Sequence, residues 1–377
     1  MRILHTSDWH LGRSFHREDL LTAQGTFVDH LVETVRAERV DCVLISGDVY
    51  DRALPGVDAV RLCNEALERL VALGVRVVLI AGNHDSAHRL GFGSALMDAA
   101  GVHLRTDFAR VGEPVLLDGA AVYGVPYLEP ELLRHDWELD ERSHAAALTE
   151  AMRRVRADAA TRPGTRTVVL AHAFVTGGEA SDSERDISVG GTSHVPVGVF
   201  EGIDYVALGH LHGRQAMTDR VRYSGSPLAY SFSEERHLKG SWLVDLRDDG
   251  MEAAFVEAPV PRRLKRLRGT LEDLLHDPAL DAYEDRWIQA TLTDARRPPS
   301  AMERLRRRFP HALVLGFEPR EGPGEDARTW TERVRGRSEL DVAGDFVAEV
   351  TDGPAGEAER ALLHEAFEAC RLKEARA

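Results

Sequence analysis

The chain reads as an α/β protein whose first half builds a mostly parallel sheet covered by helices on both faces. Three features of the sequence carry this expectation. Short apolar runs alternate with amphipathic stretches of helical period; the runs are continuous, as strands buried on both faces require; and each ends in glycine or a polar cluster. In order, Ile3 to Asp8 reads as a strand and Leu20 to Arg36 as an amphipathic helix. Cys42 to Ser46 is an apolar strand stopping at Gly47-Asp48, Asp58 to Leu73 a helix ended by Gly74, and Val75 to Ala81 a strand ended by Gly82.

The middle of the chain mixes periods. Pro114 to Pro126 reads as short strands around the turn Asp118-Gly119, and Ser143 to Ala160 as a helix. Thr167 to Ala171 is a strand leading into His172, and Asp204 to Leu208 a strand delivering Gly209-His210-Leu211-His212. Between them, Gly177 to Gly191 is polar and glycine-bearing, expected to be a mobile loop near the site. Ser241 to Arg247 and Glu252 to Glu257 read as a closing antiparallel pair, and a second sheet packed on the first would complete the core.

Pro259-Val260-Pro261 marks a boundary, giving expected domains at 1–258, 259–337 and 338–377. The second opens on the basic run Arg262 to Arg268. A strand (Arg286 to Leu292), a helix (around Met302 to Arg308) and a strand (Ala312 to Phe317) follow. Residues 262–308 hold twelve basic and eight acidic side chains, a local charge of +4 in a chain of −15. No aromatics interleave with the basic runs, so base stacking is not indicated, and a solvated face and a DNA-facing surface stay open as readings. Ser338 to Arg376 reads as two amphipathic helices broken at Gly353-Pro354. Leu340, Phe346, Val347 and Val350 lie on one apolar face and Leu362, Leu363, Phe367 and Cys370 on the other, a surface suited to a partner.

Bulk composition bounds the function. Hydrophobic and charged fractions of 43% and 29% are those of a soluble globular chain. No apolar run approaches the roughly 20 residues of a membrane helix, and no signal-peptide core precedes Asp8, so a cytoplasmic protein without membrane partners is expected. Cys42, Cys63 and Cys370 are isolated, which excludes a CxxC zinc knuckle and a disulfide framework. The net charge of −15 argues against a nucleic-acid coat protein, though not against a nuclease that works through bound metals.

The chemistry lies in five short segments: Asp8-Trp9-His10, Gly47-Asp48, Gly82-Asn83-His84-Asp85, His172 and Gly209-His210-Leu211-His212. Each falls at or just past the end of an expected strand, where functional loops of parallel sheets gather. Asp8, His10, Asp48, Asn83, His172, His210 and His212 supply carboxylate, amide and imidazole donors without thiolate, a set suited to manganese, iron or zinc in an open site. Two divalent ions roughly 3.5–4 Å apart engage both sides of a phosphate. Asp48, after the most apolar strand, is the best candidate to touch both. The pairs Asp8/His10 and His210/His212 would point the same way on extended backbone, and Gly47, Gly82 and Gly209 let the chain turn before a ligand. His84 would face substrate, with Asp85 orienting its ring. His5 is expected to pack within the first strand.

The ordered set DxH, GD, GNHD, H and GHxH resembles that of the calcineurin-like metallophosphoesterases. Within that superfamily, HTSDWHLGR, SGDVYDR, AGNHDS, GHLH and YSGSPLAYSFSE resemble the nuclease subunits of bacterial SbcC–SbcD complexes, strongly over about residues 1–258 and more weakly beyond. The resemblance implies a four-layer α/β/β/α sandwich with a small α/β capping domain that grips DNA, and C-terminal helices that dock on an SbcC-type coiled-coil ATPase. It implies two Mn²⁺ ions, with Mg²⁺ or another divalent metal as substitutes. Asp8, His10, Asp48 and His212 would hold one ion; Asp48, Asn83, His172 and His210 the other. His84 would stabilise the transition state or protonate the leaving oxygen. A homodimer cutting DNA ends and hairpins, as exonuclease and endonuclease in repair, replication and recombination, is the function this implies. Relatives often carry a second His three residues past the bridging Asp; here that residue is Asp51, to which no catalytic role is assigned, and His16 is left without one.

Two other functions fit the same core. A phosphatase acting on a small-molecule or protein phosphomonoester is one, but Ala53 breaks the GDxVDRG string of the protein phosphatases, GNHD replaces their GNHE, and Asp51 stands where purple acid phosphatases carry tyrosine. A non-catalytic scaffold is the other, and the intact ligand set speaks against it.

Overall fold

Strands β1 (Arg2–Thr6), β2 (Cys42–Ser46), β3 (Arg76–Ile80) and β4 (Val102–Arg105) run parallel; helices α1 (Leu21–Glu38) and α2 (Val57–Ala72) form the first two crossovers and the short helical segments Ala87–Leu90 and Ser94–Ala100 the third. The computed structural model describes residues 1–117, 119–185, 187, 194–247, 250–319, 337–351 and 353–374. Asp118 of the expected turn, the far end of the polar loop up to Gly191, and the side chains of Val350 and Cys370 lie outside the described residues.

A second sheet follows along the chain. It holds β5 (Val115–Leu117), β6 (Ala120–Val125), β7 (Arg166–His172), β8 (Tyr205–Gly209), β9 (Gln215–Ala216) and β10 (Val221–Tyr223), in the order β9-β10-β8-β7-β6-β5, with α3 (His144–Ala159) between β6 and β7. Strands β11 (Gly240–Arg247) and β12 (Gly250–Glu257) then return to the first sheet, β11 pairing antiparallel with β1 and completing the order β12-β11-β1-β2-β3-β4.

Alternate side chains show why the central strands are apolar throughout. Ile3, Cys42, Leu44, Val78 and Ile80 meet Val122, Val168, Leu170 and Tyr205 between the sheets. Their neighbours Leu4, Val43, Ile45, Val77 and Leu79 pack outward on Phe27, Leu31, Cys63 and Leu70 of α1 and α2. On the second sheet Tyr123, Val169 and Val206 pack outward on Leu148, Met152 and Val155 of α3. Period-2 side chains buried on both faces leave no room for polar alternation. The result is the four-layer α/β/β/α sandwich with C-terminal helices.

The basic run beyond residue 261 departs from its sequence reading. It contains a strand, β13 (Leu264–Gly269), which pairs parallel with β14 (Trp287–Leu292); β14 pairs in turn with β15 (Ala312–Phe317). Helices α4 (Leu271–His276) and α5 (Ala301–Arg308) complete this module. Leu267 packs inward with Leu271, Ile288 and Leu305, while Leu264 packs with Phe15, Leu20, Tyr230 and Phe232. The intervening charges are partnered: Lys265 Nζ lies 2.6 Å from Glu235 Oε1 and Arg266 Nε 3.4 Å from Glu235 Oε2.

The chain forms two compact units, Met1–Leu292 with Arg297–Phe317, and Thr293–Arg296 with Glu318–Ala377. The second carries helices α6 (Glu339–Thr351) and α7 (Glu357–Glu374), separated near Gly353-Pro354, with Phe346 and Leu362 exposed. Among the described residues no helix is long and apolar enough to cross a membrane.

Candidate metal centre

All five segments converge beyond the C-terminal ends of β1, β2, β3, β7 and β8. The loops after β1 and β2 continue side by side, with Asp8 N donating to Gly47 O at 3.0 Å and His10 N to Asp48 O at 2.9 Å. Two glycines set how closely they approach the neighbouring loops. A Cβ on Gly82 would sit 2.1 Å from Asp48 Oδ1, and one on Gly209 1.9 Å from Ser46 O. No side chain fits at either position.

The paired ligands do not converge on extended backbone, as their spacing had suggested. Asp8, His10, Asp48 and His210 all have left-handed backbone, with φ of 53°, 44°, 48° and 108°. Such conformations cost of order 1–3 kcal/mol each and persist where the surroundings enforce them. Buried Gln24 of α1 is one such enforcer, its Nε2 donating to His10 O at 2.8 Å. Trp9 and Leu211, between the ligands, are fully buried in the two outer cores and anchor the turns.

The side chains form two adjoining groups. In one, His10 Nε2 and His212 Nε2 face each other at 3.1 Å, and ligand atoms of Asp8, His10 and His212 all lie within 4.8 Å of one another. In the other, Asn83 Oδ1 lies 2.9 Å from His172 Nε2 and 3.1 Å from His210 Nδ1. Asp48 Oδ2 stands between them, 3.6 Å from both His10 Nε2 and His172 Nε2. Asp48 Oδ1 is engaged separately, accepting from His84 N at 2.8 Å.

These donors fit divalent cations. Ser46 O lies 2.9 Å from His172 Nδ1, and a carbonyl only accepts, so the neutral ring carries its hydrogen there. His172 Nε2 therefore turns a lone pair toward Asn83 Oδ1 and Asp48 Oδ2. Acceptors facing acceptors in a buried site call for a positive charge between them. Among the described residues, neither Asp8 nor Asp48 has a lysine or arginine partner. Burial, reinforced by the charge of Asp48, holds the Asp8 carboxyl well above the usual range. Burial, then neighbouring imidazoles, keeps His10 and His210 well below theirs, leaving neutral rings able to bind metal.

Asp85 requires a correction. It does not orient the ring of His84. Its carboxylate accepts from the amides of Val49 (3.1 Å), Tyr50 (2.9 Å) and Gly82 (3.0 Å), tying the β2 and β3 loops together. Burial and then Asp48 push it up to about 7, against those three amides. The His84 ring is held instead by the Asp51 carbonyl, 2.8 Å from Nδ1. A main-chain acceptor leaves no trace in sequence, which is why Asp51 had no role there. His16 sits away from this cluster, its ring against Phe15 and Phe232.

Other contributors were also missed. Ser7 Oγ donates to Asp8 Oδ2 at 2.6 Å. Glu184 Oε1 accepts from His212 N at 2.7 Å, and Ser183 Oγ lies 2.6 Å from His212 Nδ1. Buried Glu234 pairs with Lys239 behind them. Glu234 closes the string YSGSPLAYSFSE, so its position was visible although its role was not.

Two family models match the sequence of this chain. Residues 260–351 match the SbcD_C family, described as the type 5 capsule protein repressor C-terminal domain. Among solved structures, TT1561 of Thermus thermophilus is similar at 14% identity and a TM-score of 0.40, covering 67% of this chain and 98% of that one. A dimetal phosphatase from Danio rerio is similar at 15% identity and a TM-score of 0.42, covering 69% and 99%. Likeness at that level says nothing of activity. The family is carried by the sequence match over residues 1–214 of 377, the stretch that contains every proposed metal ligand: the chain belongs to the calcineurin-like phosphoesterases.

Proposed function

We propose that, within the metal-dependent phosphoester hydrolysis of its family, this chain cuts DNA as the nuclease subunit of an SbcC–SbcD-type complex. The observation that carries the reading is the second match: a calcineurin-like core followed in the same chain by an SbcD_C module. That module's sheet packs through Leu264 and Trp287 on Phe15, Tyr230 and Phe232. The Tyr230 ring in turn lies 5.3 Å from that of His10 and 5.5 Å from that of His212. A substrate long enough to leave the metal centre on that side would meet the capping module.

In this reading Asp8, His10, Asp48 and His212 hold one Mn²⁺ and Asp48, Asn83, His172 and His210 the other. Such ions supply a water of lowered pKa and neutralise charge on the phosphoryl group. The chain's own residues do the rest. Asp48 keeps the two groups in register through Oδ2. The Asp51 carbonyl fixes the His84 ring by Nδ1, leaving Nε2 for the substrate. Water adds to phosphorus and gives up a proton to solvent as the bond to the leaving sugar oxygen breaks, and His84 Nε2 is the group placed to hand a proton to that oxygen. Division at 258 and 337, dimerisation, docking of the C-terminal helices on the ATPase, and a cytoplasmic role in DNA repair, recombination and replication belong to the same proposal.

The test is incubation with end-labelled duplex and hairpin DNA, in Mn²⁺ or Mg²⁺, with and without the cognate ATPase. Manganese-dependent shortening of duplex ends and opening of hairpins is expected. Rapid turnover of p-nitrophenyl phosphate with intact DNA in every arm would replace the nuclease by a phosphatase.

A further inference from the structure

Three imidazoles of the site have Nδ1 within hydrogen-bond reach of an oxygen behind them. For His172 and His84 that oxygen is a backbone carbonyl, which can only accept, so the ring hydrogen is fixed on Nδ1. For His212 it is the hydroxyl of Ser183, at 2.6 Å. A hydroxyl can donate as readily as accept. Were it to donate, the His212 hydrogen would move to Nε2, the nitrogen that faces His10 Nε2 across 3.1 Å, and His212 could no longer offer a lone pair there.

Glu234 removes the ambiguity. Its Oε1 lies 2.6 Å from Ser183 Oγ and takes the only hydrogen the hydroxyl has. Glu234 itself is only 1% exposed and is held as a carboxylate by the ammonium of Lys239, which also donates to His212 O and Ser226 Oγ at 2.9 Å each. The segment is anchored independently. Ser183 O accepts from Arg13 Nη2 at 3.0 Å, and Glu184 accepts from His212 N at 2.7 Å and Ser181 N at 2.8 Å. This part of the polar stretch, expected to be mobile, therefore grips the His210–His212 turn by both backbone and ring.

We infer that Ser183 and Glu234 are positioning residues that lock His212 in its Nδ1–H tautomer, so that Nε2 is available to a metal ion. The inference rests on His212 being a ligand of the proposed centre, but the tautomer is a property of the metal-free chain and can be read without metal. Long-range ¹⁵N–¹H correlation on histidine-labelled, metal-free protein reports it, with the His212 signals assigned by their loss in His212→Asn. The wild type is expected in the Nδ1–H form. Ser183→Ala and Glu234→Gln should both lower that share, and Ser183→Thr, which keeps the hydroxyl, should restore it. Thermal melting by circular dichroism confirms that each variant is folded, and Ser183→Ala, at the surface end of the relay, carries the test if Glu234→Gln does not fold. Manganese titration should show one of two ions weakened in Ser183→Ala by about 10–100-fold, the usual effect of removing an outer partner of a histidine ligand. His212 remaining wholly Nδ1–H in Ser183→Ala would overturn the relay. A wild type that binds fewer than two ions sinks the metal-centre reading instead, while the tautomer still decides the relay.

Discussion

His84 does two separable jobs with different atoms. Its backbone amide holds Asp48 Oδ1 at 2.8 Å, and its ring is anchored on Asp51 O at 2.8 Å. Truncating the side chain leaves the amide in place. His84→Ala is therefore expected to keep its manganese stoichiometry, measured by electron paramagnetic resonance, while cleavage of end-labelled DNA falls by roughly 10²–10⁴-fold, the usual contribution of a general acid. Wild-type cleavage by this variant would remove His84 from the chemistry. The residue types of the site were legible from their order along the chain. Hydrogen-bond partners were not, because Asp85, Ser183 and Glu234 are assigned their roles by loops that meet only in the folded chain.

Strand β13 shows the same limit for a whole element. Its sequence, LKRLRG, has the charge of a solvated run, and its two leucines lie three apart, so they point to opposite faces of a strand. Each face turns out to have its own apolar cover, Leu267 inside the three-stranded module and Leu264 against Phe15, Tyr230 and Phe232. By contrast, β2 could be read directly, since both its faces meet apolar layers and all five residues are buried. Leu264 is nearly fully buried, so Leu264→Ala should cost about 2–5 kcal/mol through lost transfer energy and a residual cavity. A melting temperature within error of wild type would show that β13 does not hold its module to the body of the unit.

At the scale of the two-sheet body, His5 is one of several polar ties between the sheets, beside Ser46 with Ala207 O and Trp242 with Tyr223 O. It sits on β1 in the first sheet, wholly buried, with Nε2 donating to Leu208 O (3.1 Å) and Nδ1 accepting from Tyr205 OH (2.8 Å) on β8 of the second. Burial lowers its pKa from 6.5 to about 3, opposed in part by the Leu208 carbonyl. Because the folded value lies below the unfolded one, the unfolded chain binds the extra proton in between. The stability tied to neutral His5 is complete above about pH 6.5 and drains away as pH falls toward 3, at up to about 1.4 kcal/mol per pH unit. Urea melts in chelator at pH 7, 6, 5 and 4 should show a shallower slope for His5→Gln than for wild type. A wild-type-minus-variant difference that is flat across this range would refute the assignment.

Ligand types, their order and the strands that deliver them follow from local chemistry: apolar runs mark buried strands, and Asp, Asn and His at their ends mark a site for cations. Which nitrogen of each histidine faces inward, which carboxylate oxygen is free, and which acids orient rather than react depend on contacts such as His172 with Ser46 and Ser183 with Glu234, between residues 126 and 51 positions apart. Hydrogen bonds act through space at under 3 Å, while sequence patterns register only near neighbours along the chain. Those choices therefore had to wait for the fold.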